Sequence, residues 1–547
     1  MTPPPAAPGP SSAPGTGADP APAPGTGTEP AAAPGTGTEP APGGAARDDA
    51  DPASDGVASV ANDAASPAEA HAAARAARRT RLIQVVVIVA VAVGIALVPP
   101  PAGVDPRGMH MAGIFVGTVL ALILQPLPTA PVALVGLAVA MLTGTMTTDG
   151  EALEGFANPT IWLIVASFFI ADGFLVTGLG RRIALAFVAR LGGSSLGLAY
   201  GMALTDLVLA PATPSNTARA GGVVYPIVAS LSRVQGSTPE SDASRRRLGS
   251  YLALTSVQVN TVTSAMFVTA MAGNPVAQKA AADLGIEITW GGWALAALVP
   301  GLLSLVVVPW AMSRVYPPTL TRTPEAPAHA REELHGLGPL SAHERIMAAT
   351  FVLLLVLWCG GSLLGIPATA AAFGGIAVLL VTGVLRWSHL AANASAWSTL
   401  IFFAVLVGMA DQLDALGVID LVGGAVSGSV GGLPWPWAFA VLALVYFFSH
   451  YLFASNTAHI VAMYAVFLGA AVATGTPALF AALVLGFIGN LFGGISHYAS
   501  GPSGVVFGSG YVTTKEWFRV GFVMAVVLIV IWGVVGTAWM GVLGLLA

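Results

Sequence analysis

The residues of this chain that could do chemistry stand in two matching groups. "PSNTARAGG" (214–222) and "ASNTAHIVA" (454–462) each place Ser, Asn and Thr in succession, with a basic side chain four residues after the serine: Arg219 in one, His459 in the other. Ser and Thr at a helix start supply capping hydroxyls, the first amides there have no intrahelical partner, and the helix dipole favours an anion. An Asn amide both donates and accepts. Two such groups approaching from opposite faces would hold the two ends of one small dianion. With backbone carbonyls, the oxygens of Ser215, Asn216, Ser455 and Asn456 could equally hold a sodium ion, and the residues alone do not choose. Arg219 and His459, with His497 further along, are candidates for balancing a bound anion's charge, since Arg is permanently charged and His titrates near neutrality.

The elements that must carry these groups are set by composition. The chain has 547 residues, 55% hydrophobic and 9% charged, with mean hydropathy +0.77. A soluble domain carries about a quarter charged residues. Apolar runs fall near 82–99, 109–125, 128–145, 159–178, 248–272, 291–313, 346–363, 367–385, 397–416, 477–497 and 518–545. Runs of roughly 20 apolar residues cross a bilayer, so the expectation is an all-α polytopic membrane protein with about eleven transmembrane helices. A net charge of −5 in such a chain does not point to nucleic acid. One cysteine, Cys359, excludes an intrachain disulfide, and His450, His459 and His497 share no metal-ligand spacing, so no metal site is expected. The Ala/Pro/Gly/Thr-rich stretch 1–75 lacks large apolar residues and reads as a disordered cytoplasmic tail.

Two further apolar stretches, 195–234 and 434–473, are each split by a Ser-Asn-Thr group. With the N-terminus inside, the predicted cytoplasmic segments collect 18 of the 22 Lys and Arg residues, and the outer loops only Arg107 and Lys279. That asymmetry requires each split stretch to enter and leave on one side, as a re-entrant hairpin of two half-depth helices. It also puts the C-terminus outside.

The sequence repeats itself. The Ser-Asn-Thr groups are offset by 240 residues; upstream, "ADGFLVTGLG" (171–180) answers "ADQLDALGVI" (410–419), pairing Asp172 with Asp411. Downstream, two spans degrade into the polar segments "NTVTSAMFVTAMAGNP" (260–275) and "NLFGGISHYASGPSG" (490–504). These add Asn260, Thr269, Asn274, Asn490 and Ser500 to Ser215, Asn216, Thr217, Ser455, Asn456 and Thr457 as candidate substrate contacts. The units start on opposite sides, so they are inverted-topology repeats, the signature of a secondary transporter with its site at the repeat interface. The organisation expected is a tail (1–75), scaffold helices (76–158), transport repeat 1 (159–275), linking scaffold helices with a cytoplasmic loop at 314–345 (276–396), transport repeat 2 (397–511) and a last transmembrane helix (512–547).

The paired Ser-Asn-Thr groups, the inverted halves and "GPSGVVFGSGY" (501–511) resemble the divalent anion:sodium symporter family. Within it, "PSNTARAGG", "HYLFASNTAH" and "NLFGGISHYASGP" look most like citrate/succinate antiporters and plastid 2-oxoglutarate/malate translocators. The resemblance spans roughly 82–547. It implies a scaffold and a transport domain, a homodimer, an elevator-type displacement, and carboxylate contacts from Ser215, Asn216, Thr217, Ser455, Asn456 and Thr457. "AGNP" (272–275) and "SGPS" (500–503) stand where sodium-coupled members often carry a Thr-Pro-containing turn, which points away from sodium.

The expected function is therefore secondary transport of small di- or tricarboxylates (2-oxoglutarate, malate, succinate or citrate class) across a bacterial inner membrane by exchange, with no cofactor. The alternatives are a sodium-coupled dicarboxylate or sulfate symporter, with Na+ as coupling ion, and an anion channel. Ser455 and His459 could imitate a nucleophile–base pair, but the equivalent position 219 is Arg, which does not deprotonate, so an enzyme is not expected. Two readings of Arg219 stand: a built-in cation for the substrate, or a side chain that points into the cytoplasmic vestibule and merely anchors the hairpin, with Asp206 as a candidate partner.

Overall fold

The computed structural model describes residues 67–148, 150–419, 421 and 433–546. Most of the expected tail and the segment 422–432 lie outside the described residues. The tail boundary at 75 needs correcting, because a helix already begins at Pro67 and runs to Ala96. The chain divides into the units 1–70 and 71–547. Among its described residues the second unit is helical, with a single isolated bridge between Ser194 and Arg322.

Among the described residues, nine helices are long and apolar enough to cross a membrane, and four apolar helices are shorter. The composition of the nine differs from the eleven expected spans. The run 248–272 is not among them, whereas Ser195–Ala212, Trp435–Leu452 and Asn456–Ala473 are. The reason for the first difference is burial. Every residue of the Gly249–Met266 helix is buried, including Gln258, Asn260, Thr261, Thr263 and Ser264. A helix enclosed by other helices never meets lipid and can be polar all round. The second difference concerns length: 18 residues rise about 27 Å, nearly the roughly 30 Å of a bilayer core. The arms of the split stretches are thus longer than the half-depth expected of them.

Two groups of helices organise the packing. In one, Gly249–Met266 is wrapped by Ser195–Leu209, Trp290–Val315 and Ala478–Leu491. In the other, Pro159–Thr177 packs between Ala368–Val381 and Ala394–Ala415. The Gly273–Asp283 helix touches Pro159–Thr177, and Gly108–Leu124 touches Asn456–Ala473, joining the groups.

The order of elements repeats as the sequence does. A long helix (Pro159–Thr177; Ala394–Ala415) leads, after Leu179–Leu191 in the first copy, to a helix, a break and a second helix (195–234; 435–473). A buried helix that breaks in turn comes next (249–283; 478–508). Both Ser-Asn-Thr breaks have extended backbone, at Thr213 and Ser215 in one and at Phe453 and Ser455 in the other. The helices after the breaks differ. Asn456–Ala473 is one continuous α-helix, whereas the first passes from 216–218 into a π-helical turn, Arg219–Val224, before Tyr225–Val234. Gly221, Gly222 and Pro226 fall at that turn, where a missing Cβ and a missing N–H loosen the regular ladder.

Candidate functional site

Each Ser-Asn-Thr group caps the helix that follows it. The Ser215 hydroxyl accepts from the Ala218 amide at 3.0 Å, and Ser455 from Ala458 at 3.4 Å. Both triplets stay accessible: Ser215, Asn216, Thr217, Ser455 and Thr457 are half-buried, with Asn456 buried. The Asn216 side chain has no hydrogen-bond partner among the described residues. The first break borders a cavity of about 410 Å³, lined by Ser215, Thr213, Ala218, Asp172, His389 and Asn393. Asn393 donates to Asp172 at 2.8 Å on its wall. The repeat partner of Asp172, Asp411, is paired instead with Lys279 at 3.3 Å.

Each break is seated on the broken helix of the other repeat. Thr217 packs on Gly501, where a Cβ would collide with its hydroxyl, and Thr457 packs on the Met271 sulfur at 3.9 Å. The two broken helices are tied by Asn490 donating to the Asn274 side-chain oxygen at 2.7 Å. Asn274 in turn donates to the carbonyls of Ser264 and Phe267, at 2.8 and 2.9 Å, closing the gap where its own helix breaks. Asn456 donates to Gly489 O at 3.0 Å. The side-chain oxygens of Asn260, Asn456 and Asn490 are buried without a donor.

Several expected contacts are otherwise engaged. The Thr269 hydroxyl donates to Pro211 O at 2.5 Å and accepts from the Trp290 indole at 3.1 Å, which locks the break of one helix to the other. Ser500 donates to Gly493 O at 2.8 Å and caps the next helical segment. The His497 ring lies against Phe507, Tyr498 and Phe518.

Arg219 is the clearest correction. It is fully buried, and all five of its N–H groups are engaged. The partners are Asp206 (2.9 Å), the carbonyls of Thr213 (2.8 Å) and Ala270 (2.9 Å), and the hydroxyls of Ser264 (2.9 Å) and Thr263 (3.4 Å). Asp206 also accepts from Asn260 at 3.2 Å and from the Thr263 hydroxyl. A carboxylate already cancels the guanidinium, so Arg219 is not a free cation for a ligand. It anchors the break to the Gly249–Met266 helix against Asp206, as the second reading has it, but from full burial rather than from a cytoplasmic vestibule.

His459, in the equivalent position, has no such partner. Its Nδ1 lies 3.1 Å from Nδ1 of His450, and Nε2 lies 3.2 Å from the Ser449 hydroxyl. Sequence reasoning does not single out His450. One signal exposes the difference between the breaks: the 240-residue offset places Tyr446 opposite Asp206, so the second repeat has no acid for its basic residue.

The family profile described as sodium:sulfate symporter transmembrane region matches residues 79–546. The chain belongs to that family. Among this family member's relatives, a putative malate transporter of Bacillus subtilis is 46% identical over 458 residues, covering 83% of this chain and 95% of the relative. Dicarboxylate transporter 1 of Arabidopsis thaliana chloroplasts is 45% identical, covering 83% and 82%. The L-tartrate/succinate antiporter of Shigella sonnei is 34% identical, covering 82% and 96%. Among solved structures, the YdaH transporter of Alcanivorax borkumensis is similar in fold, with a TM-score of 0.53 at 15% identity over 79% of this chain and 98% of that one. Family membership and the apolar helices make this a multi-pass membrane protein.

Proposed function

We propose that this protein is a secondary transporter of small di- and tricarboxylates, of the 2-oxoglutarate, malate, succinate or citrate class, and that it works by exchange across a bacterial inner membrane. The observation that carries the proposal is the pair of accessible Ser-Asn-Thr helix starts, each seated on the broken helix of the other repeat. The hydroxyl hydrogens of Ser215, Thr217 and Ser455, left free by the caps, the Asn216 amide and the first helix amides offer a carboxylate donors from two directions. Relatives named for malate, dicarboxylates and tartrate/succinate support the same substrate class.

In this reading 195–234 and 434–473 are re-entrant, the repeats are inverted, and the N-terminus is cytoplasmic with the C-terminus outside. One helix group slides past the other as an elevator in each protomer of a homodimer. The 410 Å³ cavity at Ser215 then serves as the cytoplasmic approach to the site. In a Cys359→Ser background, a cysteine at 215 is expected to react with a thiol reagent from the cytoplasm and one at 455 from outside. Labelling from the reversed sides would overturn the orientation.

Exchange needs a carrier that crosses the membrane only with an anion bound. With Arg219 cancelled by Asp206, the basic side chain at the two helix starts left to balance that anion is His459. One observation favours the second reading, sodium symport. The donor-free oxygens of Asn456 and Asn490 are amide carbonyls suited to a hard cation. Uptake into proteoliposomes decides between them. Labelled dicarboxylate is expected to enter only vesicles preloaded with dicarboxylate. Sodium-driven accumulation in empty vesicles would establish the symport instead, non-saturating flux a channel, and preference for sulfate a different substrate class.

A further inference from the structure

The second Ser-Asn-Thr group stands one helical turn above a buried chain of polar contacts with one hydrogen missing. His450 and His459 are both wholly buried. Four contacts run in series: Ala499 O to His450 Nε2 (2.8 Å), His450 Nδ1 to His459 Nδ1 (3.1 Å), His459 Nε2 to Ser449 Oγ (3.2 Å), and Ser449 Oγ to Tyr446 O (3.0 Å). Both ends are carbonyls, which only accept. Each contact needs one hydrogen, so the chain needs four. Two neutral imidazoles and one hydroxyl supply three. A fourth hydrogen completes the chain. His450 donates from Nε2 to Ala499 O, His459 donates from Nε2 to Ser449, Ser449 donates to Tyr446 O, and the hydrogen between the two Nδ1 atoms can be carried by either ring.

The surroundings fit a cation spread over two rings. Phe492 stacks on His450 with centroids 3.8 Å apart, and Phe453 stacks on His459 at 4.5 Å, both near parallel. Aromatic faces attract positive charge. The titratable groups facing the pair are few. Tyr446 lies against His459 at 4.7 Å with its hydroxyl unpartnered, and Tyr464, on the helix of His459, gives its hydroxyl to Ala482 O. The 478–494 segment presents Phe492, and 495–500 presents the Ala499 carbonyl. Among the described residues, no carboxylate or guanidinium pairs with either imidazole. An imidazolium here lacks a counter-charge until an anion arrives at Ser455, whose carbonyl accepts from the His459 amide at 3.1 Å.

We propose that His450 and His459 together bind one proton, shared along this chain, and that this proton is the positive charge accompanying a dicarboxylate into the second Ser-Asn-Thr group. The proposal rests on the dicarboxylate reading and names the coupling ion that it leaves open. The only bond made is N–H, with a proton taken from the aqueous side as the dianion binds and returned there as it leaves. Proton and dianion then favour each other's binding by the same factor.

The test is the number of protons taken up per ligand. Purified full-length protein is titrated with succinate or malate, each a dianion near neutral pH, in two buffers of different ionisation enthalpy. The dependence of the measured heat on the buffer gives the protons absorbed. About one proton per dicarboxylate is expected. The count is expected to fall at least fivefold in His459→Gln and in His450→Phe, two variants chosen so that one interprets the other if either fails to fold. Equal heats in both buffers with ligand bound, or an unchanged count in the variants, would overturn the proton site while leaving the dicarboxylate reading intact. No binding by any four- or five-carbon dicarboxylate would overturn that reading and the proton site with it.

Discussion

The two helix breaks share a sequence and a cap but not their electrostatics. Beneath the first, Arg219 and Asp206 form an ion pair enclosed by Asn260, Thr263 and Ser264. Beneath the second, the same two positions hold His459 and Tyr446, their rings 4.7 Å apart and tilted, with His450 added. The first set carries no net charge and has every donor of its guanidinium satisfied. The second has one hydrogen too few and no acid. An internal repeat conserves shape because both copies must make the same turn. It is free to differ one helical turn below, where the side chains meet only their own copy's broken helix. One break is fixed in place by charge, whereas the other is left able to change charge.

The strongest way to break this contrast is Arg219→Ala. It leaves Asp206 buried without its cation, and about 3–5 kcal/mol of stability is expected to be lost. The same change at His459 is expected to remove far less, as read by thermal unfolding of the purified protein. Comparable losses would mean that the second break is also held by charge. Next in size, Asn216→Ala and Asn456→Ala each remove hydrogen bonds to a charged ligand or its ion, worth about 1.5–3 kcal/mol. Roughly ten- to hundredfold weaker transport is expected with membrane insertion retained. Normal uptake by either variant would reassign that Asn to packing.

Smaller changes sharpen the comparison. The Tyr446 hydroxyl is buried and unpartnered, so Tyr446→Phe is expected to stabilise by roughly 1 kcal/mol. Asp206→Asn at the equivalent position is expected to destabilise. A loss of stability in Tyr446→Phe would show that this hydroxyl has a partner in the working protein. The smallest effect is expected at a wet ion pair used as control, Arg107 with Glu151 at 3.5 Å. The Thr147 amide donating to the Glu151 carboxylate, assisted by Arg107, holds that carboxyl below its ordinary range. A depressed acid stabilises above its unfolded value and loses that contribution as pH falls through the folded one. Glu151→Gln is therefore expected to cost about 0.2–1 kcal/mol near neutral pH and nothing in strong acid. A larger effect would place this pair with the buried ones.

Much of the candidate site is legible in the sequence. Ser-Asn-Thr at a fixed offset announces two equivalent helix starts, and caps of that chemistry form at Ser215 and Ser455. The residues downstream are less readable. Ser500 and Asn274 are polar for the sake of the breaks in their own helices, whose freed carbonyls they satisfy, and Thr269 serves the neighbouring break through the Pro211 carbonyl. In a sequence, a polar residue serving backbone looks the same as one serving a ligand. The 249–266 segment reads as an ordinary span because length is visible in sequence, whereas enclosure on every side is not.

The sequence by itself determined the class of protein, the doubled architecture and the place of the breaks. Hydropathy, helix-capping chemistry and self-similarity are local properties that survive without a fold. Tertiary structure decided the charge at each break. Whether Arg219 is a free cation depends on a carboxylate 13 residues away and on hydroxyls more than 40 residues away, brought within 3.4 Å only when the break seats on the buried helix. Whether His459 can take a proton depends on His450 and on a carbonyl at 499, which periodicity cannot bring together. Electrostatic roles in a low-dielectric interior are set by contacts within a few ångströms, and only the folded chain supplies those.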